Sequence, residues 1–150
     1  MRHTLHLQHF TAGASAPVEP GPVSRVLAEH GCDDPDEFGV CTLDFDDGGE
    51  VEVHARGLDG ARPFIGCAIN IREIGGKLAA FVFEVARAGN FVIFNSHGKD
   101  TADCPSLILL NSDQERELPD GMASEYSVLP VCTSAKMLGR LLFQGAVSAS

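Results

Sequence analysis

A chain of 150 residues, 44% apolar and 21% charged, can bury a core and has the composition of a globular domain, which excludes a disordered tail or a fibre. No apolar run approaches the roughly 20 residues that span a bilayer, and the start, MRHTLHLQHF, lacks the continuous apolar stretch of a signal peptide; a cytoplasmic location is therefore expected. Twenty-one acids against eleven Lys and Arg leave a formal charge of −10, the wrong sign for binding a nucleic-acid backbone or an anionic membrane surface.

Residues 3–10 alternate as a strand, with Leu5 and Leu7 on one face and His6, Gln8 and Phe10 on the other. A loop rich in small residues and Pro runs from Thr11 to Gly21. Pro22 then suits the first turn of a short helix that buries Val23, Val26 and Leu27 and stops at Gly31. The clearest local signal follows. VCTLDF and EVEVHA flank Asp46-Asp47-Gly48-Gly49 and predict a β-hairpin. Cys41, Leu43, Phe45, Val51, Val53 and Ala55 would pack, while Thr42, Asp44, Glu50, Glu52 and His54 face water.

Phe64–Arg72 reads as a further strand, broken at Gly75-Gly76. LAAFVFEVARA fits both periodicities. Its Ala content and the Gly89-Asn90 stop favour a helix. Phe91–Phe94 and Leu107–Leu110 are short apolar strands around a polar loop, and Asn111–Met122 is a second polar segment. Tyr126–Val131 is a predicted strand, with Pro130 suiting an edge. Thr133 or Ser134 can cap a last helix that buries Met137, Leu138, Leu141 and Leu142 and ends at Gly145. This order lacks regular βα alternation. It predicts an α+β fold over residues 1–150 as one domain: a mostly antiparallel twisted sheet with two or three helices packed on one face.

Five cysteines (Cys32, Cys41, Cys67, Cys104, Cys132) at wide spacings form no CxxC pair, and most are expected to be reduced, buried hydrophobes. His3, His6 and His9 alternate across a strand and so do not converge on a metal. The run from Asp44 has a Gly at the sixth place of a calcium loop, but Ala55 stands at the twelfth, where a bidentate carboxylate is needed. No nucleotide signature, GxSxG elbow or HExxH occurs, and no cofactor is expected.

Two site readings remain. Asp33, Asp34, Asp36, Glu37, Asp44, Asp46, Asp47, Glu50 and Glu52 fall between Gly31 and Val53, where no Lys or Arg stands. Seven more acids lie between Asp100 and Glu125, opposed only by Arg116. Such charge steers and holds a cationic partner, which predicts a module docking on a basic protein. In size and charge the profile is similar to that of bacterial immunity proteins, which would imply an inhibitor of a toxin or nuclease with a basic cleft. The alternative is a thiol-dependent hydrolase-like enzyme. Cys132 would be the nucleophile at a strand-to-helix junction, His97 its base, and Asp100 or Asp103 the orienting carboxylate. The oligomeric state is open in both readings.

Overall fold

The computed structural model describes residues 3–32, 39–60 and 62–148, with side chains described as far as Phe143. The first strand, β1 (His3–Gln8), turns His3, Leu5 and Leu7 inward. It is followed by a small hairpin of β2 (Phe10–Thr11) and β3 (Ala14–Ser15), helix α1 (Pro20–Glu29), and strands β4 (Val40–Asp44), β5 (Glu50–His54) and β6 (Gly66–Glu73). Helix α2 (Leu78–Gly89), strands β7 (Val92–Asn95) and β8 (Leu107–Ile108), and helices α3 (Asp113–Glu117) and α4 (Ala135–Ser148) complete the chain. Six strands form one sheet in the order β4-β5-β6-β1-β7-β8, and every strand pair is antiparallel.

Alternation in the strands divides the sheet into two faces. On the inner face Leu5, Leu7, Val51, Val53, Ile69, Ile71 and Ile93 share one core with Val23 and Leu27 of α1, Leu78, Phe81, Val82 and Val85 of α2, and Leu138, Leu142 and Phe143 of α4. Three helices thus cover one face, as expected. Each large side chain fully buried there contributes roughly 1.5–3 kcal/mol of transfer free energy. The outer face is covered only in part. Val92 and Phe94 of β7 point away from the main core and join Phe10, Leu107, Leu109, Leu118, Met122, Tyr126 and Leu129 in a second apolar cluster. The outer sides of β4, β5, β6 and most of β1 lie outside it. No helix among the described residues is long and apolar enough to cross a membrane.

Local chemistry explains most boundaries. Pro20 starts α1 two residues before Pro22, and both sit in the first turn, where a missing N–H costs nothing. α2 is helical, and Asn90 closes it in the left-handed region at φ 52°. Ser134 Oγ accepts from Met137 N–H at 3.1 Å and caps α4.

Several expectations need correction. Tyr126–Val131 is no strand: Val131 alone makes a parallel bridge, to Leu109. Pro130 has no N–H to give a ladder, and its carbonyl accepts from Leu109 N–H at 2.9 Å. α3 interrupts the segment read as polar loop, held by the buried Gln114, which bonds Leu110 and Asn90. Gly145 does not end α4, which runs to Ser148. Cys32 and Cys41 are not both free thiols: they form a disulfide between the end of α1 and β4, Cα–Cα 6.2 Å, whereas Cys67, Cys104 and Cys132 are free.

Candidate functional site

The hairpin acids lie at the edge of the sheet formed by β4 and β5. Asp47 sits in the turn and binds backbone: its carboxylate accepts from Gly49 N–H at 3.1 Å and from Lys77 N–H at 2.7 Å. Those two donors hold Asp47 below the usual carboxylate range. Lys77 Nζ reaches Asp46 at 2.5 Å, and this contact raises the lysine pKa. A bulge between Glu50 and Val51 shifts the register so that Arg72 of β6 reaches Glu52 at 2.5 Å and Glu50 at 3.6 Å. Glu52 also accepts from His54 at 2.5 Å; that bond and Arg72 push its pKa down.

Two cations that are remote in sequence therefore enter the acidic stretch. They do not balance it. Asp44, Asp46, Asp47, Glu50, Glu52 and Glu73 share Arg72 and Lys77, and like charges stand side by side across three strands. Asp44 pairs with Glu50, and Glu50 with Glu73. Asp33, Asp34, Asp36 and Glu37 lie outside the described residues.

Among the described residues, the hairpin acids and the second acidic stretch do not form one surface. The hairpin is at the β4 end of the sheet, while the second stretch brackets β8 at the other end, five inter-strand steps or about 24 Å away. Three of its acids are tied to backbone or a neighbour. Asp100 accepts from Ser127 N–H at 2.8 and 2.9 Å, which lowers its pKa. Glu117 accepts from Ala12 N–H, and Asp113 pairs with Arg116.

The residues of the thiol reading have other occupations. Cys132 is fully buried, its Sγ donates to Ser134 carbonyl at 3.2 Å, and burial raises its pKa, the reverse of activation at a helix start. His97 stacks on His3, Asp100 holds Ser127, and Asp103 is exposed.

The three N-terminal histidines diverge as alternation requires. His3 points inward to Asn95, His9 Nδ1–H donates to Ala16 carbonyl at 3.0 Å, and His6 faces outward. His6 borders a shallow cavity of about 350 Å³ on the uncovered half of the sheet, with Gln8, His54, Arg56, Gly66 and Ala68 also lining it. Sequence reasoning assigned His6 and His54 to outward faces but did not bring them together. Their proximity depends on β6 lying between β1 and β5, and no local pattern encodes that order. No family model, curated protein or solved structure matches the chain.

Proposed function

We propose that this protein is a non-catalytic module that docks on a basic protein partner, an inhibitor of the immunity-protein kind, through the acidic end of its sheet. The observation that carries the reading is the like-charge row Asp44–Glu50–Glu73 on three neighbouring strands. Like charges directly opposite one another in a sheet destabilise it, so folding alone does not account for them. A cationic surface relieves the repulsion on contact and is steered toward it beforehand. Asp46 stands beside this row. Asp33, Asp34, Asp36 and Glu37, which precede β4 in the chain, are part of the proposed surface on charge alone. Asp47 and Glu52 have a mainly architectural task. The reading includes no nucleic-acid partner, and it leaves the thiol-enzyme alternative aside because Cys132 is buried and its pKa is raised.

The test compares affinity capture by the native chain and by the triple variant Asp44→Asn, Glu50→Gln, Glu73→Gln, at low and high salt. A basic partner retained by the native chain, lost at high salt and lost by the variant supports the proposal. A partner retained equally by both overturns this surface. A cytoplasmic location belongs to the same proposal, and there the Cys32–Cys41 pair would be a dithiol. Recovery of the disulfide from cells lysed in a thiol-trapping reagent overturns that part.

A further inference from the structure

The cavity on the outer face of the sheet is an electrostatic exception in a chain of formal charge −10. Of the ten described residues that line it, one carries a guanidinium, two carry imidazoles and one an amide, and none of the ten carries a carboxylate. Among the described residues Arg56 has no carboxylate within ion-pair distance. Glu52, the nearest acid along β5, has its two oxygens occupied by His54 and Arg72.

The register explains the shape. His54, Ala68 and His6 stand side by side across β5, β6 and β1, and Gln8 pairs with Gly66 in the next row. Arg56, in the turn that follows β5, lines the cavity beside His54. One wall is therefore His54 and Arg56, the other His6 and Gln8, and the floor is a methyl group and a glycine. Two strand spacings, about 10 Å, separate the walls. Small residues on β6 leave the trough open. At Gly66 a side chain is also excluded by the fold, because a Cβ would come within 2.1 Å of Leu7 carbonyl oxygen.

We propose that this trough binds a small oxyanion-bearing ligand, a non-aromatic phosphate or carboxylate compound. A planar guanidinium presents paired N–H donors matched to an oxyanion, and His6 stands on the opposite wall, while His54 Nε2 is held by Glu52 and the Gln8 amide donates to Ser15 Oγ. No Phe, Tyr or Trp stands among the described lining residues to give a base a large stacking surface, and the volume is at the small end of ligand sites. The inference uses none of the acids of the proposed docking surface, so either can fail alone.

The test is an NMR titration of the intact chain with inorganic phosphate and, separately, citrate, at ionic strength held constant with sodium chloride. The expected result is a saturable shift of the His6 and His54 ring signals and the Ala68 amide. Arg56→Gln should weaken it at least tenfold, Ala68→Leu should abolish it by filling the floor, and Arg25→Gln on α1 should leave it unchanged. The tighter of the two probes assigns the ligand's acid group. Non-saturable shifts, or saturable shifts that persist in both folded cavity variants, overturn the proposal.

Discussion

The imidazole of His3 lies face to face with that of His97, ring centroids 4.3 Å apart and planes 1° from parallel, with the edge of Phe143 against it. His3 Nε2–H donates to Asn95 Oδ1 at 2.5 Å, and the same oxygen accepts from His97 N–H at 3.1 Å. Burial, and secondarily the neighbouring His97, depresses the His3 pKa below its ordinary 6.5. The unfolded chain thus takes up a proton that the folded chain refuses, so stability falls as pH drops below about 6.5. Thermal midpoints between pH 8 and 5.5 should decline in the native chain and decline less in His3→Gln. Equal slopes would remove His3 as the cause. Asp47, Glu52 and Asp100 act in a lower window, because their pKa values are depressed: their stabilisation is present above the ordinary carboxylate range and lost as pH falls through it.

Asp47→Ala removes both acceptors that tie the hairpin turn to the start of α2. Lys77, at the N-cap, has no side-chain cap of its own, so an α2 backbone donor loses its partner. The melting temperature should fall, and amide exchange should quicken at Gly49 and Lys77 before it does in the central strands. Uniform protection across the variant would contradict the clamp.

Gly89→Ala reverses a familiar sign. An exposed helix position gains about 1 kcal/mol on that change. Here the added Cβ would lie 2.1 Å from Phe91 Cζ, and Phe91 is fully buried against Phe64. Overpacking of this kind costs about 1–3 kcal/mol, to be read from the urea midpoint.

The Cys32–Cys41 bond closes a loop with a sequence separation of 9. Loop-closure entropy for that length is worth about 2–3 kcal/mol. The double variant Cys32→Ser, Cys41→Ser should lose that amount, and reduction should bring the native chain to the variant's stability. Thiol titration of the denatured, air-oxidised protein should find Cys67, Cys104 and Cys132 alone.

Glu73→Gln tests the charge row without a partner. Removing one like charge opposite Glu50 should raise stability by about 0.2–1 kcal/mol, less at high salt. A loss of stability would mean that Glu73 is there for the fold.

The hairpin was legible because both its strands keep a strict period of two: Leu43 and Val51 pair on the buried side, Asp44 and Glu50 on the wet side. α2 was legible despite its ambiguous apolar pattern, because Asn90 gives it an end. α3 was not, since DQERE has no apolar stripe and is held by polar contacts from Gln114 and Glu117. The acidic reading overlooked Arg72 and Lys77, which arrive from β6 and the start of α2. The trough shares that origin: it depends on pairings between distant segments, and local periodicity carries no information about which strand lies beside which.

The position of β1 has a consequence for biosynthesis. Of the six strands of the sheet it is translated before the others, yet it lies inside, where Leu5 pairs with Ile69 on one side and with Asn95 on the other. At about 5–20 residues per second, a ribosome needs several seconds to supply the first of these neighbours and longer for the second. Until then Leu5 and Leu7 are uncovered and both edges of the strand are open. A nascent chain of this topology is exposed to wrong pairing early rather than late, and loss of the first eight residues would split the sheet through its interior.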